Sequence, residues 1–400
     1  MLAQHRLVSF DLETMEENPT PHLQALTAGE RDRGQSLLIA VSSTARFAGH
    51  LIASTASLFL LALGATPFHL GALETLSNTS RLLRVAGVQA LRGTTKAKLL
   101  FRMRVLSAPV ILGLAMLAYF GHVDPRYMWI AILTIASRFA MVQIGMAAWW
   151  PLVQDNTTRA SLPMFLARLR MAGRGVELVL PLFVGWYLGS HPSVARFGWL
   201  YLAAFLATMA SAWLVRRIRE LPFERPTEGL GHRFFAALKI RALQNYCLFN
   251  GTMTLIHAAS LPFWVVAFTE RGMPILYFVW MISIRSLGHV ATLYFWGRLV
   301  QSHGSRSAIS IALGGMFSLA PFWQILPADS TSLVFAAGIF YFLWGAFEAG
   351  MQSGQTPVMM ESVATAYRAE GFTVSMYAMA VGGGIGGLAG GLIFERLNEM

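Results

Sequence analysis

Residues 275–296 read ILYFVWMISIRSLGHVATLYFW, residues 297–306 read GRLVQSHGSR, and residues 307–317 read SAISIALGGMF. The first run is long and apolar enough to cross a hydrocarbon core about 30 Å thick as a helix. The segment after it is bounded by Gly297 and Gly304 and carries Arg298 and Arg306, and it is read as a tight turn. An apolar span, a short basic turn and another apolar span describe a chain folding back on the cytoplasmic side of a membrane. The same sequence of events recurs from residue 37 onward.

The composition agrees with that reading. Of 400 residues, 55% are hydrophobic and 13% charged, and the mean hydropathy is +0.52. Soluble domains carry about 25% charged residues. The apolar residues come in long runs rather than as the stripe of an amphipathic helix, which excludes a large soluble core. A net charge of +11 suggests nucleic acid only until the basic residues are located: they sit in short connections between spans, so no nucleic-acid partner is expected. Cys247 is the single cysteine, so an internal disulfide or a cysteine-based metal site is excluded. The first 36 residues lack an uninterrupted apolar core and are read as a cytoplasmic tail rather than a signal peptide.

Windows of about 20 residues place spans at 37–64, 67–91, 99–120, 127–151, 163–189, 197–215, 242–268, 273–296, 307–326, 331–353 and 370–394. That is an all-α polytopic membrane protein with about eleven transmembrane helices. The longest polar connection, 216–241, contains Pro222, Pro226 and Gly229 and divides a six-helix bundle (37–215) from a second bundle of about five (242–400). Arg31, Arg33, Lys96, Lys98, Arg102, Arg104, Arg168, Arg170, Arg216, Arg217, Arg298 and Arg306 fall on one side, against Arg126, Arg196, Arg271 and Arg396 on the other. The positive-inside rule then puts the amino terminus in the cytoplasm, and the short loops suit a bacterial inner membrane.

The halves read as weak repeats with a period of about 206 residues: Pro151-Leu152-x-x-Asp155 follows the fourth span and Pro357-Val358-x-x-Glu361 the tenth. Paired bundles of this kind are a transporter architecture. The turn after residue 296 also resembles the loop motif of the major facilitator superfamily, Gly-x-Leu-x-Asp-Arg-x-Gly-x-Arg/Lys. Gly297, Leu299, Gly304 and Arg306 match it, while Gln301 and Ser302 stand at its acidic and first basic positions. The resemblance covers nearly the whole chain and implies a two-bundle fold rocking around a central cavity lined by the first, fourth, seventh and tenth helices. That family has twelve spans, and the twelfth is not found here.

Ionisable groups inside a membrane cost about 2.5–3.5 kcal/mol each on the insertion scale, so each needs a partner or a wet cavity. The helices that the resemblance assigns to the cavity carry Arg46, Arg138, Asn250, His257, Glu348 and Gln352. Arg46, Arg138, Asn250, His257 and Gln352 are candidate solute ligands. The planar donor forks of Arg46 and Arg138 suit a carboxylate or phosphate, but both also have a structural reading, in which they pair with Glu74 of the second span or with backbone carbonyls. Glu348 either carries a proton through a transport cycle or stays locked to Arg285 of the eighth span. His257 and His289 are secondary proton handlers, since an unperturbed imidazole titrates at about pH 6.5. Glu74 and Asn78 lie one turn apart on a common face, as a gate or as a partner for Arg46. Arg168, Arg170 and Arg174 are explained by topology. Gly382–Gly384, Gly386, Gly387, Gly390 and Gly391 permit close helix packing or a hinge.

The expected function is secondary active transport, as symporter or antiporter, of a small solute by alternating access. An organic anion is favoured, with proton coupling at Glu348 open. The alternative is a transport-inactive scaffold or assembly factor on the same fold. No enzyme chemistry is expected, because no metal-ligand spacing, nucleophile elbow or paired carboxylates are present. No cofactor is expected, and the partners of a monomer are the solute, membrane lipids and, where transport is coupled through Glu348, protons.

Overall fold

The computed structural model describes residues 26–91, 93–120, 125–158, 161–221, 230–327, 330–363 and 368–399. The proposed tail up to residue 25 and residues 222–229 of the central connection lie outside the described residues. The first helix, α1 (Ala28–Ala62), starts well before residue 37. Its start is fixed by a capping box: Thr27 Oγ1 accepts from the Glu30 amide and Glu30 Oε2 accepts from the Thr27 amide at 2.9 Å, satisfying two orphan donors of the first turn.

The chain continues as α2 (Pro67–Thr79), α3 (Arg84–Ala90), α4 (Lys96–Phe120), α5 (Pro125–Met146), α6 (Trp149–Asp155), α7 (Leu162–Leu188), α8 (Val194–Val215), α9 (Leu230–Leu238), α10 (Arg241–Glu270), α11 (Ile275–His303), α12 (Ser305–Ser318), α13 (Ser330–Ser362) and α14 (Arg368–Glu399). Among the described residues, eight helices are long and apolar enough to cross a membrane. Trp186, Phe335 and Leu248 are exposed on outer faces, as suits contact with lipid and not water. The protein is an integral membrane protein.

Three expected spans differ in detail. The second is broken into α2, a 3₁₀ turn at Ser80–Leu83 and α3. Thr79 and Ser80 hydroxyls donate to the carbonyls of Thr75 and Ser77 at 2.8 and 2.6 Å, and such back-bonding bends a helix. The fifth, α7, is continuous but carries Arg168, Arg170, Arg174 and Glu177, so it is not uniformly apolar. The ninth, α12, is short and ends in a 3₁₀ turn at Ala320–Gln324. The expected turn at 297–306 also shrinks. Helix α11 runs on through His303, because Leu299 and Val300 pack against the buried Trp296 cluster, and the reversal falls on Gly304 with φ +84°, a conformation that favours glycine.

In the first half α8 lies between α1 and α4, and α5 packs on α4. Phe59, Phe197 and Tyr201 form the centre of its core, the Tyr201 ring standing edge-on to Phe59 at 5.4 Å. In the second half α10 packs along α14 and α11 along α13, around an aromatic cluster of Trp264, Phe268, Phe340 and Tyr341. At the basic end Lys96 Nζ pairs with Asp155 at 2.6 Å, both side chains buried, and Asp155 Oδ2 also accepts from the Leu221 amide at 3.1 Å. The chain leaving α8 is thereby tied to α4 and α6.

The halves meet along two seams, α2 against α14 and α7 against α11. Helix α14 presents a glycine row to each neighbour. A Cβ on Gly382, Gly386 or Gly390 would run into the α10 backbone at Gly251, Leu255 or Ala259, and one on Gly387 or Gly391 would meet the α2 backbone near Gly71. Spacing of four residues keeps each row on one face. Thr75 Oγ1 crosses the seam to donate to the Gly384 carbonyl at 2.9 Å. On the other seam Trp280 Nε1 donates to the Leu182 carbonyl at 3.1 Å, its ring fitting against Gly185.

Candidate functional site

Four helices bring paired polar residues to one depth, each pair three or four residues apart and therefore on one face. Helix α1 supplies Arg46 and His50, α7 supplies Arg174 and Glu177, α11 supplies Arg285 and His289, and α13 supplies Glu348 and Gln352. The glycines decide how they meet. A Cβ on Gly345 would strike the Arg285 carbonyl and one on Gly288 the Phe342 carbonyl, so α11 and α13 approach backbone to backbone. On the α1–α7 side a Cβ on Gly173 would meet the Arg46 guanidinium, and its absence seats that side chain.

The contacts form one chain of charge across the two halves. Arg46 Nη1 lies 2.9 Å from Glu177 Oε1, and Arg174 Nη1 lies 2.6 Å from Glu177 Oε2. The other end of the Arg174 fork points into the second half: Nη2 is 3.0 Å from His289 Nε2 and 3.0 Å from Gln352 Oε1. A guanidinium has no lone pair to accept with, so His289 Nε2 accepts and its proton sits on Nδ1. That Nδ1 is buried without a partner among the described residues. Arg285 grips Glu348 with both arms of its fork, Nε to Oε2 at 2.8 Å and Nη2 to Oε1 at 2.9 Å, and Gln352 Nε2 donates to Glu348 Oε1 at 3.1 Å. A small cavity of about 330 Å³ lies among His50, Arg174, Glu177, Arg285, His289 and Glu348.

A larger cavity of about 600 Å³ adjoins it through His50 and Glu177 and runs to the basic end of the first half, where Trp149, Trp150 and Arg170 line it. The face of α1 toward it carries Ser42, Ala45, Gly49 and Ala53, small residues that leave the space open. Arg138 fills part of that space. It is 7% exposed, its Nη2 sits beside Gly49, and its Nε is buried without a hydrogen-bond partner among the described residues. Its guanidinium carbon lies 5.5 Å from the centre of the Phe139 ring. Arg104 Nη1 donates to Ser211 Oγ, whose hydroxyl donates to the Val41 carbonyl at 3.0 Å.

The expected site residues therefore separate. Arg46, Arg138, Gln352, Glu348 and Arg285 line the two cavities. Arg46 pairs with Glu177 and not with Glu74, whose Oε1 accepts from Asn78 Nδ2 at 2.7 Å within its own helix. Asn250 turns to α14, where its Nδ2 donates to Ser375 Oγ at 3.2 Å, away from both cavities. His257 lines a separate aromatic pocket of about 230 Å³, its ring 5.7 Å from that of Trp344. Gly297, Leu299, Gly304 and Arg306 lie at the junction of α11 and α12. Glu177 is missing from the sequence expectation, and Arg104 and Arg174 were explained by topology. The signal for Glu177 was available: a carboxylate three residues after Arg174, deep in a span.

No family model matches the sequence, and no curated protein matches it. Solved structures do match the fold. A mutant of the nucleoside transporter NupG superposes with a TM-score of 0.73 over 92% of each chain at 13% identity. A bacterial homologue of the human lysosomal transporter Spinster, inward-facing and unoccupied, gives 0.63 over 91% of this chain and 82% of its own at 12% identity. A POT family transporter in complex with 5-aminolevulinic acid gives 0.59 over 92% and 93% at 12% identity. At these identities the likeness is one of fold.

Proposed function

The chain has the major facilitator fold, and on that premise we propose that it is a secondary transporter that moves a small organic anion by alternating access. The observation that carries this reading is the chain of polar contacts between the halves, in which one residue, Arg174, holds Glu177 in its own half and His289 and Gln352 in the other. Contacts of that kind are exchangeable. When an anion enters the larger cavity it competes with Glu177 for Arg46, which lines that cavity, Glu177 then leans on Arg174 alone, and the bonds from Arg174 to the second half weaken. A ligand shifts a two-state equilibrium by its differential affinity for the two states, and here that difference lies in which guanidinium contacts survive.

The close seams at Gly71–Gly387 and Gly185–Trp280 lie at the end of the bundle opposite the basic one, while the larger cavity reaches the basic end. With the amino terminus in the cytoplasm of a bacterial inner membrane, this is an inward-facing arrangement. Glu348 is the proton carrier of the proposed cycle. Its proton is taken up when the Arg174 contacts to the second half break and the Arg285 fork opens, and released when the fork closes again, with His289 one hydrogen bond from Arg174 as relay.

The test is uptake by purified protein in liposomes, with benzoate, succinate, phenyl phosphate, glucose and choline as probes and a pH gradient imposed. Uptake of an anion that depends on Arg174 and on the gradient is expected. Glu348→Gln should remove the dependence on the gradient yet leave exchange of solute intact. Uptake confined to glucose or choline would overturn the anion reading, and no movement of any probe by folded protein would overturn transport of these classes.

A further inference from the structure

Charge in the central network is nearly balanced: Arg46, Arg174 and Arg285 face Glu177 and Glu348. The larger cavity differs. Four arginines and one glutamate line it, and that glutamate is already held by Arg46 and Arg174. Among the described residues neither Arg104 nor Arg138 has a carboxylate partner. A guanidinium taken out of water without a counter-charge is strongly unfavourable, and the ring of Phe139 compensates Arg138 only in part. A buried Nε with no acceptor is a donor still waiting for one, because buried polar groups in native proteins are paired with few exceptions.

The two cations are set apart. Arg104 is anchored on Ser211 at the level of the Val41 carbonyl, and Arg138 abuts Gly49, eight residues further along α1. At the helical rise this is about 12 Å. Met103 and Met141 form the wall near them. Apart from its charged residues, the cavity is lined mostly by apolar side chains.

Resting on the anion-transport reading above, we infer that this cavity is a two-point site for an organic dianion whose acidic groups are separated by an apolar body. One carboxylate or phosphate is gripped by Arg138 and the other by Arg104. Ser211 holds Arg104 in place and is the positioning residue. A single compact head group, inorganic phosphate for example, reaches one cation only. A neutral solute leaves both unpaired and is rejected, as a site built to hydrogen-bond a group rejects the analogue that lacks it.

The experiment is calorimetric titration of the detergent-purified full chain with linear dicarboxylates from succinate to sebacate and with monocarboxylates of matched length. Affinity is expected to peak at an intermediate chain length, with the best dicarboxylate about tenfold or more tighter than its monocarboxylate partner. Arg104→Gln and Arg138→Gln should each erase the dicarboxylate advantage, leaving the best dicarboxylate no tighter than its monocarboxylate partner. The length profile of the unaltered protein needs no variant, so a poorly folding variant does not decide the matter. Affinity that simply rises with chain length, or equals that of the monocarboxylates, overturns the site. Two-point binding with no uptake into liposomes keeps the site and rejects the transport reading. Uptake of a solute indifferent to both substitutions keeps transport and rejects the site.

Discussion

Two buried arginines, one in each half, meet their charge in opposite ways. In the second, Arg285 and Glu348 close on each other through two parallel hydrogen bonds, and the charge is cancelled inside the protein. In the first, Arg138 is more deeply buried and has a ring and an empty space for neighbours. A cancelled pair is costly to break from one side, while an uncancelled charge is costly to keep. The same residue type therefore has opposite signs of effect on stability at these two positions.

The largest effect tests the cancelled pair. Glu348→Ala leaves Arg285 alone and should lower unfolding stability by about 3 kcal/mol, near the low end for buried pairs because Arg285 keeps a third of its surface. Arg285→Leu with Glu348→Leu should recover most of that loss. Thermal unfolding in detergent measures both, and a double variant no better than the single one would mean that the pair is not self-contained. Arg138→Met should move the other way, raising stability by about 1–2 kcal/mol without solute while lowering affinity for anions. A destabilised Arg138→Met would assign that arginine to the scaffold and erase the contrast. The smallest effect belongs to Arg46, 41% exposed and sharing Glu177 with Arg174. A double-mutant cycle between Arg46 and Glu177 should give a coupling below about 1 kcal/mol, fading as salt screens it. A salt-independent coupling would put this pair in the same class as Arg285 and Glu348.

Residues 275–317 were sufficient to reveal the fold, because an apolar run has few structural options in a membrane. The partner of each charge was less legible. Arg285 and Glu348 sit on different spans, and only the backbone approach at Gly288 and Gly345 brings them together. Arg104 was read, beside Arg102, only as a mark of the cytoplasmic side, yet it is eight residues into α4, about 12 Å from its start, where a long side chain reaches the cavity. Asn250 and His257 were read as cavity residues because a family pattern assigns their helix to the cavity. That pattern does not fix the rotation of α10, and here α14 and Trp344 claim those two side chains. Glu177 was overshadowed by the arginines before it.

The two glycine rows of α14 make a joint without teeth. Where side chains interlock, one helix slides past another only if rotamers change in step. On the α2 side only the side chains of Thr75, Asn78 and Thr79 reach the glycines of α14, so few rotamers stand in the way of a shift of α14 along α2. Friction on the α2 side comes from the Thr75 hydroxyl on the Gly384 carbonyl, a catch that one change to valine would remove without filling the groove.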